Sequence, residues 1–184
     1  RDNLRHRSGI EQAYRKAISQ AKSEVIIANA YFVPGRKLRQ ALVMAAKRGV
    51  KVQLLLQGKY EYFMQYYAAR PVYGVLLAAG VEIHEYSASF LHAKVAVVDG
   101  QWATVGSSNL DPLSLLLARE ANVSVQHKAF AEALRARLLD AIVHQGDRMD
   151  PAEYAERPLR QRCFEWTAYG LMRAALKLQG RKYL

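Results

Sequence analysis

Cysteine is nearly missing from these 184 residues. The one present, Cys163, cannot form an internal disulfide, nor can it build a cysteine-based zinc site. That count is compatible with a reduced compartment. Long apolar runs are also missing: nothing approaches 18 uninterrupted apolar residues, so no segment is expected to span a bilayer. The chain opens at Arg1 without a signal-like segment, which reads as an excerpt of a longer protein. Acidic residues are in short supply, 16 Asp and Glu against 27 Lys and Arg, a formal net charge of +11. The expected partners are therefore anionic: nucleic acid, acidic lipid headgroups or phosphate esters. The imbalance is strongest in residues 157–184, where seven cations (Arg157, Arg160, Arg162, Arg173, Lys177, Arg181 and Lys182) face Glu165 alone. With 51% hydrophobic and 23% charged residues, the chain has the balance of a folded domain with a sizeable core.

Helical and strand-like patterns alternate along it. Ile10, Ala13, Tyr14, Ala17, Ile18 and Ala21 recur at helical spacing, followed by a strand-like run at 24–30 that Pro34-Gly35 ends. A helix is expected over 36–48 with Gly49 as its cap, then a strand over 50–56. Residues 60–70 are ambiguous, and 71–79 reads as a short helix with proline in its first turn. Strands are expected at 81–86, 93–98, 102–105 and 119–126, then a helix over 127–145. Asp99-Gly100 signals a hairpin turn. Alternation of this kind implies an α/β domain built on a mixed β-sheet flanked by helices on both faces. The expected organisation is a catalytic domain over 1–146, a linker over 147–158 containing Pro151 and Pro158, and an appended basic amphipathic helix over 159–184.

The chemistry concentrates between residues 92 and 120. His92 and Lys94, two apart at the start of a strand, are expected on one face. The hairpin then returns the chain so that Gly106-Ser107-Ser108-Asn109 lies beside them. Gly106 allows close approach of the backbone to a ligand, while hydroxyls, amide and loop N–H groups can hold phosphate oxygens. The phosphorus of a diester is screened by negative oxygens, which a cation such as Lys94 can neutralise. A free imidazole is neutral often enough at neutral pH to attack it. A carboxylate on the other ring nitrogen would fix the tautomer, and Glu120 is the candidate.

The spacing His92-x-Lys94-x4-Asp99-x6-Gly106-Ser107-x-Asn109 resembles the signature of the phospholipase D superfamily. The segments Ile26–Gly35, Trp102–Ser114 and Glu120–Val123 are similar to the second half of bacterial B-type cardiolipin synthases, over roughly residues 8–146. The resemblance implies a phospholipase D-like α/β fold and roles for matching positions. His92 would be one of two catalytic histidines, Lys94 and Asn109 phosphate ligands, Ser107 a supporting donor and Glu120 the partner of His92. Asp99 and Gly106 would be structural. It further implies a phosphohistidine intermediate, no metal and no cofactor, and phosphatidyl transfer that makes cardiolipin from phosphatidylglycerol. The expected partners are anionic phospholipid, the bacterial membrane surface met peripherally from the cytoplasmic side, and an N-terminal half or second copy supplying the other histidine.

The alternative within the same superfamily is a single-motif homodimeric phosphodiesterase acting on nucleic acid, which the charge permits. A third reading, a degenerate membrane-binding module, sits poorly with an intact motif. His6, His84, His127 and His144 lack ligand spacing and read as surface residues. Tyr60, Tyr62, Phe63, Tyr66, Tyr67 and Tyr73 either line an acyl or headgroup groove or pack beneath a loop. Phe164, Ala168, Leu171, Ala175 and Leu178 fall near one face of the last helix, which suits either an anionic membrane interface or docking onto the other half of the enzyme.

Overall fold

Alternate residues of the first strand point to opposite sides of a sheet, and that parity organises the molecule. In a computed structural model describing residues 8–59, 63–116 and 118–179, strand β1 (Glu24–Asn29) is buried along nearly its whole length. Val25 and Ile27 join one apolar cluster, Ile26 and Ala28 the other. The first cluster is covered by α1 (Gly9–Gln20), α2 (Arg36–Lys47) and α3 (Phe63–Leu77). The second is covered by α5 (Lys128–Gln145), which contributes Ala131, Leu138 and Ile142. This is the mixed sheet flanked by helices on both faces that the alternating pattern implies.

The sheet has seven strands in the order β6-β5-β4-β1-β2-β3-β7. Strands β1, β2 (Lys51–Gln57) and β3 (Glu82–Tyr86) run parallel, connected through α2 and α3. On the other side of β1, β4 (Lys94–Val98), β5 (Trp102–Gly106) and β6 (Asn122–Gln126) pair antiparallel in succession. As a result the C-terminal ends of β1, β2, β3 and β5 share one end of the sheet with the starts of β4 and β6.

The opposite end is locked by the β4–β5 turn. Asp99 and Gly100 both have positive φ (52° and 60°), as a type I′ turn requires, and the Gln101 N–H donates to Val98 O at 3.0 Å. The backbone conformation is what calls for glycine at 100, since a Cβ there would meet only the tip of the exposed Glu132 side chain, which can swing aside. The Asp99 carboxylate accepts the backbone N–H groups of Lys22, Ser23 and Glu24, each at 2.9 Å, and the Ser23 hydroxyl at 2.8 Å. Partial burial works against ionisation, but these donors outweigh it and hold the carboxyl below the usual carboxylate range. Arg135 of α5 clasps Glu24 at the same end through two hydrogen bonds.

Three expectations are corrected. The first concerns α3, which begins at Phe63 and carries Pro71 inside it rather than in a first turn. Sheet and final helix cover it from two sides and bury residues 68–73 continuously, so no one-sided period shows. Tyr66 stacks on Arg70, Tyr67 lies edge-on to Phe164 of the last helix, and Tyr73 is buried, so these rings pack the α3 interface. Tyr60 and Tyr62 lie outside the described residues.

The second is that 147–158 is not a linker. Strand β7 (Gly146–Arg148) pairs antiparallel with β3, and α6 (Pro151–Ala155) follows, capped by Asp150. Tyr154 is buried, and its hydroxyl donates to Arg70 O at 2.6 Å. The third is that α7 (Leu159–Gln179) is packed against α3, not merely appended. Glu165, 1% exposed, faces inward and takes both Arg157 bonds at 2.7 and 2.8 Å, while Arg157 stacks on Tyr154 at 3.4 Å. Ala168 is buried with it, whereas Leu171 and Phe164, expected on the same face as Ala168, are substantially exposed. His84 is buried in β3 instead of lying at the surface, and that burial disfavours its charged form. His127 and His144 are exposed, His127 accepting the Phe130 N–H at the start of α5; His6 lies outside the described residues.

Two stability predictions follow from these anchors. Asp99→Asn is expected to cost about 1–2 kcal/mol at neutral pH. Because the folded-state pKa is depressed, that contribution is complete above about pH 4 and disappears as pH falls through the folded value. Urea titrations of both proteins between pH 7 and pH 3 should show the gap closing on acidification; a constant gap would contradict the role given to the charge. Arg157→Met should strand a buried carboxylate and destabilise by about 3 kcal/mol. Adding Glu165→Leu should restore most of the loss, as read from the urea midpoints of the two variants.

Candidate active site

Because β4 and β5 meet at a fixed register, with Val95 opposite Val105 and Val98 opposite Trp102, the segments preceding Lys94 and following Gly106 emerge side by side. Asn29, at the end of β1, is the register partner of Lys94. The His92–Lys94 and Gly106–Asn109 segments are thus brought to one end of the sheet, as their spacing suggested.

His92 lies just outside β4 and is exposed. Its backbone is held from both sides: the Leu91 N–H donates to Gln57 Oε1 at 2.8 Å, and the Ala30 N–H donates to Ala93 O at 3.1 Å. Lys94, only 6% exposed, donates from its ammonium to the His92 carbonyl at 2.9 Å. The lysine therefore brings its charge back towards the histidine. A pinned backbone and an open imidazole suit a group that must meet a substrate from outside.

The facing loop is equally constrained. Asn109 is buried, and its Oδ1 accepts the Tyr31 N–H at 3.4 Å; Asn29 Oδ1 accepts the Leu110 N–H at 3.0 Å. Val33 N–H donates to Leu110 O at 2.9 Å, so the β1 loop and the Gly106–Asn109 loop cross-link each other. Asp111 caps the short helix α4 (Pro112–Leu116) by accepting the Ser114 N–H at 3.2 Å. Ser108 points inward and is fully buried, while Ser107 is exposed.

Ser107 and Glu120 find each other. The Ser107 hydroxyl donates to Glu120 Oε2, accepts the Ala121 N–H at 3.1 Å, and sits where the Ser107 N–H meets Ala121 O at 3.0 Å. Among the described residues the Glu120 carboxylate is engaged by Ser107 and shows no hydrogen bond to His92. Gly106 also has a different neighbour from the one expected: a Cβ there would lie 2.3 Å from Asn122 Cγ, so its missing side chain makes room for a protein amide. Asn122 Oδ1 in turn accepts the Ser108 N–H at 3.3 Å.

Three supporting residues were not singled out by spacing: Asn29, Gln57 and Asn122. Each is an amide at the end of a strand, and each fixes a loop N–H. Each also has an NH2 group that is buried without a protein partner. A polar amide closing an apolar strand was the only available signal. Among the described residues no three His, Cys, Asp or Glu side chains converge as a metal-binding group.

Comparison with known proteins places this architecture. The family described as "Cardiolipin synthase, PLD-like domain" matches residues 14–141. Cardiolipin synthase B of Salmonella typhi is 47% identical over 157 residues, 85% of this chain but 38% of that protein. The chain thus spans well under half the length of such relatives. Among solved structures, the phospholipase D family member Nuc from Salmonella typhimurium superposes with a TM-score of 0.65 at 25% identity, covering 76% of this chain and 90% of its own. Phosphatidylserine synthase of Haemophilus influenzae gives 0.68 at 14% identity over 94% of this chain and 43% of its own, a likeness of fold alone. The constellation around His92 thus sits in a chain that belongs to the phospholipase D-like domain family of the cardiolipin synthases.

Proposed function

We propose that this chain is the second catalytic half of a phosphatidyltransferase that makes cardiolipin from phosphatidylglycerol. The observation that carries the reading is an exposed histidine, backed by a lysine and facing a cross-linked Gly-Ser-Ser-Asn loop, with one such histidine in the chain's motif. Lys94 and Asn109 hold the phosphate oxygens of the donor lipid, supported by Ser107. Glu120 steadies His92 once substrate orders the site, exchanging or sharing its bond to Ser107. A second histidine comes from an N-terminal half or another copy.

One imidazole forms an N–P bond as the glycerol oxygen leaves, taking its proton from the other imidazole. A hydroxyl of a second phosphatidylglycerol then attacks phosphorus, gives its proton back to that imidazole, and breaks the N–P bond. Lys94 offsets the charge that builds on the phosphoryl oxygens in both steps. The partner has a place to sit: the register pair Val105 and Val123, 41% and 66% exposed, leaves an apolar strip beside Ser107 on the open β5–β6 side of the sheet. A lipid substrate and the basic charge support peripheral attachment to the bacterial membrane, which we assign to its cytoplasmic side. No helix among the described residues is long and apolar enough to cross it.

A second reading, phosphodiester cleavage in nucleic acid by two copies of the chain, draws on the +11 charge and on the match to 90% of the Nuc chain. Parallel incubation with phosphatidylglycerol vesicles and with plasmid DNA, a second motif-bearing half being present in both, separates the two. The proposal expects cardiolipin from the vesicles and intact plasmid; nicked plasmid with unchanged lipid would reverse the choice. His92→Ala should lower turnover by at least about a thousandfold while leaving vesicle binding in place. Activity retained in that variant would remove His92 from the mechanism. Activity should also require a second motif-bearing half: the chain kept strictly monomeric should turn over no lipid until that half is added, and robust monomer activity would defeat the two-walled site.

A further inference from the structure

Helix α7 is more than a cover for α3. At 100° per residue, Leu159, Cys163, Trp166, Gly170 and Ala174 fall together on the side opposite Glu165 and Ala168, and all five are exposed. Trp166 is 55% exposed and Leu159, beside it on that stripe, is 74% exposed. Arg160 flanks one side of the stripe and Arg162 the other, both exposed. The helix's only acid among residues 159–179 is Glu165, turned inward and neutralised by Arg157. Its outward face therefore combines an aromatic ring, aliphatic side chains and cations, with no negative charge.

Its direction matters as much. Tyr154, just before α7, is bonded at Arg70 of α3; Phe164 lies against Tyr67, nearer the start of α3; and the Tyr169 hydroxyl accepts from Arg39, in the first turn of α2. Both α2 and α3 start at the end of the sheet that carries His92. Helix α7 thus climbs towards the catalytic end, and Arg173, set over the Tyr169 ring, is on the approaching part. The neighbouring groove between α1 and α2, about 650 Å3, is lined by Arg15, Lys16, Lys37 and Arg48 and by no acid. The helical layer on this side of the sheet is cationic in two independent places.

We propose that the outward face of α7 is the surface by which this chain lies on an anionic phospholipid bilayer, with Trp166 and Leu159 entering the headgroup boundary and Arg160 and Arg162 bound to lipid phosphates. This deepens the lipid-substrate reading above by naming the face that meets the membrane. Nucleic acid would use the cations but gives the aliphatic Leu159 nothing to bury against. A bilayer uses both, and strength of attachment comes from apolar burial plus attraction to anionic lipid.

The test uses the intact 184-residue chain and vesicles of phosphatidylcholine with or without phosphatidylglycerol. Cys163, exposed on the same face and the single cysteine, takes a polarity-sensitive fluorophore in the otherwise unchanged chain. A Trp102→Phe variant makes Trp166 the sole tryptophan, read by emission and by quenching from lipids brominated near the headgroup. Both reporters should move to an apolar environment on vesicles containing phosphatidylglycerol and stay aqueous with phosphatidylcholine alone. Arg160→Gln with Arg162→Gln should weaken partition about 30-fold, roughly a factor of five per surface cation. Binding that leaves both reporters aqueous, equal partition onto both vesicles, or no partition overturns the proposal. Burial of the reporters on plasmid DNA or by self-association without lipid also overturns it. Turnover is measured separately with a second motif-bearing half present, so a chain that binds through α7 but still makes no cardiolipin sinks the functional reading and leaves this one standing.

Discussion

The Asp99 carboxylate accepts four hydrogen bonds from Lys22–Glu24 at the end of the sheet away from His92, and the arrangement of the site depends on that anchor. It ties the β4–β5 hairpin to the first residues of β1, which sets β4 against β1 with Val98 opposite Val25 and Lys94 opposite Asn29. Side chains alternate along a strand, so a slip by one residue would turn Lys94 from the helical-layer side to the α5 side. The turn itself contributes through Asp99 and Gly100, both in the left-handed region that the hairpin needs. An aspartate at the far end of the sheet therefore governs where the side chain of Lys94 can point.

At the other end the same logic is carried by amides. Asn29, Gln57 and Asn122 each accept a loop N–H, and together with the Lys94 bond to His92 O they hold the backbone on both sides of the histidine and its facing loop. These bonds are made by protein groups alone. Ordering the backbone in advance is what a phosphoryl-transfer site needs, because most of its catalytic effect comes from position and fixed charge. The Ser107–Glu120 bond belongs to the same set and ties the carboxylate to the facing loop.

The legible part of this molecule was the part whose signals are local. The Asp99-Gly100 turn, the strand pair it joins and the polar residues bracketing that pair can be read from spacing, and the alternation of strand and helix was enough for the fold. What stayed hidden depends on tertiary cover. Helix α3 shows no amphipathic period because α7 buries the side the sheet leaves open, and Pro71 inside it reads as a start. Strand β7 is three residues long and is held by pairing with β3, in a segment whose prolines suggest a linker. The partner of Glu120 could not be chosen from sequence, since serine and histidine are equally within reach of a carboxylate at that distance along the chain.

The sheet is covered unequally, and the inequality bears on function. One face has α1, α2 and α3, with α7 packed on α3; the other has α5 alone, which leaves Val105 and Val123 open near Ser107. A fold that needed only its own stability could close that strip with one more apolar helix. Here the uncovered strip adjoins the end of the sheet where the catalytic groups emerge, and the cationic end of α7 approaches that end from the other side. The catalytic end therefore lies between an apolar surface suited to a protein partner and a basic aromatic surface suited to anionic lipid. A phosphodiester drawn from a membrane into a site shared by two halves would require both surfaces to meet there.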